Sequence, residues 1–436
     1  MTITINNKNK KTNVPNSTDK GNAIRNLPNL RFPEFREEWE EHELSEYLDF
    51  KNGLNPKPNQ FGKGIKFISV MDILNNAVIT YDCIRASVSV SEEDMSAFSV
   101  QKGDILFQRS SETLEDVGRA NVYVDDIPAV FGGFVIRGKQ KTNYNPLFFK
   151  YLLSSPLARK RIIRMGAGAQ HFNIGQEGLS KVKLPFACID EQNKIAKILY
   201  LLDKRISLQS KIIEDLKKLK SAIIEKVFCS PNKKNPMCRI EGFEQALSTY
   251  KMSDFSSRIA TKNKDSKCSL VLTIAAQYGL VNQESFFNKS VASENLTGYY
   301  LLHKGEFAYN RSYSAGYDWG AVKRLDNYDE GVLSTLYICF KINETIVDSD
   351  YLTYYFESTK WHRGLSDIAG EGARNHGLLN VSITDYFNTK HRFPVIEEQK
   401  AIAKMLNTIT EKERKTTLLG ECYQKQKQYL LRQMFI

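Results

Sequence analysis

A chain of 436 residues is too long for one ordinary domain, and 42 % hydrophobic with 25 % charged content excludes an overall disordered or low-complexity protein. Sixty-one Lys and Arg against 50 Asp and Glu leave a net charge of +11, which suits nucleic acid, an anionic membrane surface or no more than a basic exterior. The longest apolar runs fall short of the ~18 residues of a transmembrane helix, and 7 cysteines without a C-x-x-C pair exclude a zinc ribbon and a disulfide framework and suit a reducing cytoplasm.

Residues 1–25 are polar, Asn-rich and basic, with no apolar core, so they read as a disordered tail and not as a secretory signal. From Asn26 to Phe186 the pattern is mixed. Strand-like runs occur at Lys66–Val70, Gly103–Phe107, Ala129–Phe131 and Phe134–Ile136, with glycine turns between them. Leu147, Tyr151, Leu152 and Leu157 recur at helical spacing and predict one helix over Pro146–Arg164. Beyond Pro185 the chain changes character. Ile195, Leu199, Leu202, Ile206, Ile213, Leu216, Ile223 and Val227 step by three and four, with Gln209 and Lys220 filling the polar gaps. That is a heptad seam on one long helix of ~57 Å.

The pattern then starts again. Pro28-x-x-Arg31-x-x-x-Phe35 recurs as Pro236-x-x-Arg239-x-x-x-Phe243, and Lys102-Gly103-Asp104 as Lys304-Gly305-Glu306. Arg109-Ser110 returns as Arg311-Ser312, Gly118 as Gly320, and the turn Gly166–Ala169 as Gly370–Ala373. Glu191-Gln192-x-x-Ile195-Ala196-Lys197-x-Leu199 returns as Glu398-Gln399-x-x-Ile402-Ala403-Lys404-x-Leu406. So many blocks in one order make the chain a duplication of one α+β unit. The second helix has a poorer seam: Ile402, Leu406, Ile409, Tyr423, Leu430 and Met434 fit, whereas Glu413, Thr416, Gly420 and Lys427 do not. A seam must be buried, and the obvious cover for one helix is its copy, running back antiparallel, which predicts a pseudo-two-fold molecule.

Catalytic patterns are missing from the sequence. There is no phosphate-cradling G-x-x-x-x-G-K-[ST], no H-E-x-x-H and no G-x-S-x-G, so no catalytic and no metal-ligating residue is assigned. Phe131-Gly132-Gly133-Phe134 echoes a glycine loop only faintly, and its repeat Leu333-Ser334-Thr335-Leu336 makes it a strand position. Asn145-Pro146-Leu147-Phe148 reads as a helix start with Pro at the first position.

Candidate binding groups follow the shared Gly-Asp/Glu strand. They are Gln108, Arg109, Ser110, Ser111 and Arg119 in the first copy, and Asn310, Arg311, Ser312, Tyr313 and Arg324 in the second. Arg forks match guanine or phosphate and Gln or Asn matches adenine, while the alternative is that both Arg side chains hold their own loops. Gln170 and His171, and Arg374, Asn375 and His376, flank the glycine turns, where backbone can approach a phosphate closely. Lys57 and Lys63 add a basic loop.

Two diverged domains, each followed by a long helix opening with P-x(n)-E-Q-x-x-I-A-x-x-L, resemble the specificity subunit of type I restriction–modification enzymes. The carrying residues are Pro185, Glu191, Gln192, Ile195, Ala196 and Leu199, with Pro394, Glu398, Gln399, Ile402, Ala403 and Leu406. The resemblance implies target recognition domains over 26–186 and 231–395, and spacer helices over 187–230 and 396–436. It implies a non-catalytic subunit that binds a bipartite double-stranded DNA target. Two modification (methyltransferase) and two restriction (nuclease and translocase) subunits would dock on helix residues including Glu191, Gln192, Ile195, Leu199, Leu202, Ile206, Glu398, Gln399, Ile402 and Leu406. S-adenosylmethionine, ATP and Mg²⁺ would belong to those partners, and the setting is the cytoplasm, at the nucleoid when DNA is bound. The rival is a stand-alone site-specific nuclease or methyltransferase.

Overall fold

The computed structural model describes residues 26–289, 295–312, 316–368 and 381–436, with the backbone of short strands at Thr4–Ile5, Arg374–Asn375 and Leu378–Leu379. Apart from the first of these strands, the tail over 1–25 lies outside the described residues. The chain forms two units, Met1–Ser210 with Leu418–Ile436, and Lys211–Thr417.

The first unit contains β1 (Glu40–Glu43), β2 (Leu48–Asn52), β3 (Phe61–Ile68), β4 (Ala86–Val88), β5 (Ser99–Val100), β6 (Ile105–Gln108), β7 (Ala120–Val122), β8 (Ala129–Phe131), β9 (Val135–Gln140) and β10 (Lys183–Phe186). An antiparallel sheet has the order β7-β6-β9-β2, a second sheet the order β4-β3-β8-β5, and β1 pairs with β10. Alternate residues of a strand face opposite sides of its sheet, and β6 uses both. Ile105 and Phe107 join the core that contains the helix residues Phe148 and Leu152, whereas Leu106 joins the core formed with Ile68 and Phe131. Where one helix was expected, two follow: α1 (Pro146–Leu153) and α2 (Pro156–Ile163). Pro156 has no N–H to continue the ladder, and the Ser155 hydroxyl caps the new helix by accepting from Ala158 N–H. Then comes α3 (Ile189–Val227), which passes from the first unit into the second.

The second unit contains β11 (Ser248–Lys251), β12 (Ser256–Arg258), β13 (Leu272–Ala275), β14 (Gly279–Asn282), β15 (Tyr300–His303), β16 (Phe307–Asn310), β17 (Ala321–Arg324), β18 (Glu330–Leu333), β19 (Ile338–Ile342) and β20 (Lys390–Phe393). Its main sheet, β12-β19-β16-β17, repeats the order β2-β9-β6-β7, and β11 pairs with β20 as β1 does with β10. The helix α4 (Ser349–Glu357) takes the place of α1, and α5 (Ile396–Gln433) that of α3.

Within the first unit, Ile195, Leu199 and Leu202 of α3 share a core with Leu430 and Met434 of α5. Within the second, Ile224 shares a core with Ile402, Ala403 and Leu406. In both, higher numbers on α3 meet lower numbers on α5, so the pairing is antiparallel, as the sequence predicts. The misfits of the second seam turn out to be matched misfits. Lys427 Nζ lies 2.6 Å from Asp203 Oδ1, and Glu413 Oε2 lies 3.5 Å from Lys220 Nζ. Gly420 faces Gln209, whose Cβ would lie in ordinary van der Waals contact, 3.7 Å, with a Cβ at Gly420. Asp203 also accepts from the Tyr151 hydroxyl at 2.8 Å, with Lys150 Nζ at 3.4 Å. Burial pushes Lys150 down to about 8, with Asp203 pulling the other way.

Candidate nucleic-acid interface

The E-Q pair that opens each long helix works inside its own unit. Arg31 donates through Nε and Nη2 to the two oxygens of Glu191, both at 2.8 Å, and Trp39 Nε1–H donates to the same carboxylate at 3.0 Å. In the second copy Arg239 makes the same fork on Glu398, at 3.0 and 2.5 Å. Gln192 accepts from the Asn145 backbone N–H and donates to Ala187 O; Gln399 accepts from Asp348 N–H and donates to Pro394 O. Asn145 and Asp348 are the N-cap residues of α1 and α4. The motif thus fastens the arm before each domain, and that domain's helix α1 or α4, to the long helix. This corrects the docking assignment for Glu191, Gln192, Ile195, Leu199, Leu202, Glu398, Gln399, Ile402 and Leu406: all are buried in their own units, and Ile206 is half-buried against the same core.

After β6 the chain runs through Arg109 to a two-residue strand, Ser110–Ser111, which pairs with Phe172–Asn173. Ala167 and Asn173 exchange backbone hydrogen bonds at 2.9 and 2.8 Å, closing a hairpin that holds Gln170 and His171 in solvent. Gly168 makes the hairpin possible. Its φ is +138°, and a Cβ there would lie 2.0 Å from His171 O. Ser110 Oγ bonds Asn173 Oδ1, and Ile174 N–H donates to Arg109 O at 2.9 Å. Leu54 N–H donates to Phe131 O at 2.9 Å, which brings the segment leading to Lys57 beside the β8–β9 turn. Lys57 and Lys63 are exposed.

Several side chains expected to read bases hold the frame instead. Arg109 Nη1 donates to Gly133 O at 3.3 Å, and Arg311 donates to Val381 O and Leu336 O at 3.1 and 3.2 Å. Gln108 is buried, its amide donating to Ser110 O. Ser111 Oγ accepts from Thr113 N–H. Arg119 is exposed but paired with Asp116 at 2.6 Å. Arg324 is held by Asp326 and Asp350, at 2.6 and 2.8 Å. For Arg109 and Arg311 the physical reason is that a loop beside a hydrogen-bonded sheet leaves carbonyls to be satisfied, and a guanidinium supplies the donors. Asn310 Oδ1 accepts from Ser312 N–H, closing a local turn. Tyr313 and His376 lie outside the described residues, and of Arg374 and Asn375 only the backbone is described. In the first unit Lys57, Gln170 and His171 are exposed on loops, and Lys63 is exposed on β3. The sequence reading missed Asn173 and the Arg31 and Arg239 clamps, although the repeated P-x-x-R block was the signal for the clamps.

Residues 36–218 match the family model of the type I restriction modification DNA specificity domain. A putative type I restriction enzyme MjaX specificity subunit of Methanocaldococcus jannaschii is 27 % identical over 208 residues, 47 % of this chain and 48 % of that protein. The chain thus spans about half the length of that curated relative in the match. The crystal structure of a type I restriction–modification system S subunit from M. genitalium aligns with a TM-score of 0.56 at 15 % identity, over 94 % of this chain and 99 % of that one. At such identity the likeness is one of fold. Residues 36–218 are therefore similar to the type I restriction modification DNA specificity domain, and the chain shares the fold of the M. genitalium S subunit.

Proposed function

We propose that this chain is the non-catalytic, DNA-reading subunit of a type I restriction–modification complex. Residues 26–186 and 231–395 act as target recognition domains, each reading one part of a bipartite double-stranded target. One observation carries this reading: the two units share a sheet order and a returning segment that donates a backbone N–H to the carbonyl of the corresponding arginine, Ile174 to Arg109 and Leu379 to Arg311, while the loops built on it differ. A shared frame with divergent loops is how one binding geometry serves two sequences. The +11 net charge supplies attraction to phosphate.

Two modification and two restriction subunits complete the assembly, and S-adenosylmethionine, ATP and Mg²⁺ work on those partners. Docking falls to the outward faces of the long helices, where Leu201 and Leu208 stand exposed, because the seam is used internally. The complex acts in the cytoplasm on chromosomal and incoming DNA. The test is methyl transfer from labelled donor to DNA. Purified chain alone should transfer nothing, and chain with methyltransferase subunits should methylate a split motif. Transfer by the isolated chain would overturn the reading.

A further inference from the structure

The β8–β9 turn, Gly132-Gly133-Phe134, and the β18–β19 turn, which contains Ser334-Thr335-Leu336, occupy the same place in the two units. Each carries a large apolar side chain turned into solvent, Phe134 at 68 % and Leu336 at 61 % exposure, although the strand residues on either side of the turn, Phe131 and Val135 or Leu333 and Ile338, are buried. Single exposed apolar residues are ordinary. These two differ in sitting at one structural position of two diverged copies, on backbone that is held fast. Phe134 O accepts from Arg109 N–H at 2.9 Å, and Val135 N–H donates back to Gly132 O at 2.8 Å. In the second unit Leu336 O accepts from Arg311 Nη2 at 3.2 Å, and Tyr337 N–H donates to Ser334 O at 3.1 Å. The frame-holding arginines thus have a purpose beyond their loops: they fix the turn that carries the apolar tip. Because the backbone of the tip is already fixed, only its side chain has to be ordered when it meets a partner.

The geometry points to Phe134 and Leu336 as base-contacting residues, one in each half of the DNA target. This rests on the DNA-reading function proposed above. Lys57, exposed three residues beyond Leu54, which pairs with this turn in the first unit, would hold a phosphate beside Phe134. A phenyl ring stacks on a base or wedges at a base step, and a leucyl side chain meets the thymine methyl group. The two tips therefore confer different preferences.

The experiment is selection from a pool of random-sequence duplexes by the purified full chain and by its Phe134→Ala, Phe134→Leu and Leu336→Ala variants, with thermal melting as the folding check. Wild type should enrich a split motif. Phe134→Ala should lose preference at one or two adjacent pairs of one half and bind roughly tenfold more weakly. Phe134→Leu should keep part of the affinity with an altered preference at those pairs, and Leu336→Ala should flatten only the other half. Variants that enrich the wild-type motif at wild-type affinity would overturn the inference while leaving the DNA function intact, and would assign the tips to protein contact if they also lose a co-purifying subunit. A wild-type chain that enriches no sequence would remove the DNA reading itself, and this inference with it.

Discussion

Arg31 and Glu191 form a buried fork, with side chains 7 % and 0 % exposed, so either charge alone would be stranded in the core. Glu191→Gln should cost about 3 kcal/mol of stability. Glu398→Gln should cost nearer 1.5 kcal/mol, because Arg239 keeps access to water. Urea unfolding curves of the two variants give the comparison directly. His391 is a second isolated feature, in the second unit only; the first has Leu184 at the equivalent place on β10. Thr389 Oγ1 donates to Tyr386 O, so the His391 Nε2–H donates to Thr389, and Nδ1 is left to accept from the Tyr355 hydroxyl. Burial holds the folded ring down to about 3, against the usual 6.5. The unfolded chain takes up the proton first, so stability is full above pH 6.5 and falls as the pH drops from there toward 3, by about 1.4 kcal/mol per pH unit. Unfolding midpoints at pH 5 and 8 should differ in wild type, and His391→Gln should lose most of that difference.

At the level of elements, the long helices show what a sequence can and cannot display. The seam of α3 was legible because its apolar residues announce a heptad. That of α5 was half hidden, because Glu413, Gly420 and Lys427 keep the period while abandoning the polarity. Their partners Lys220, Gln209 and Asp203 are all about two hundred residues distant or more, and only the antiparallel register brings them together. The candidate binding loops were less legible still. Arg109 and Arg311 carry the right chemistry for DNA, but whether a guanidinium faces a base or a carbonyl depends on which loop carbonyls the sheet leaves unpaired. Phe134 read as a strand residue since Val135 and Ile136 continue it. The matched polar pair invites a test by replacement. Lys220→Leu with Glu413→Leu should be neutral or stabilising by about 1–4 kcal/mol, whereas Glu413→Leu alone should destabilise. Thermal melting of both variants checks this. A double variant that melts well below wild type would mean that the ion pair, not the seam, holds this stretch.

At the scale of the whole molecule, α3 and α5 each run from one unit into the other, and the units divide them between Ser210 and Lys211 and between Thr417 and Leu418. Adding one heptad to both helices at that level preserves the 3.5-residue period and every seam pair in each unit. It adds ~10 Å, about three base pairs of B-DNA. We expect an active complex whose half-sites are unchanged and whose unread spacer grows by about three pairs, as read by genome-wide methylation mapping. A one-residue insertion in both helices turns one unit by ~100° and should abolish activity. The split placement of the first unit has a further consequence, for synthesis. Leu430, Met434 and Phe435 pack in its core, with the Phe435 ring 6.1 Å from that of Trp39. Those residues leave the ribosome only after all of Lys211–Thr417 has been made. The domain translated first is thus walled in last, and a chain interrupted before Leu418 lacks the α5 residues of the first unit's core.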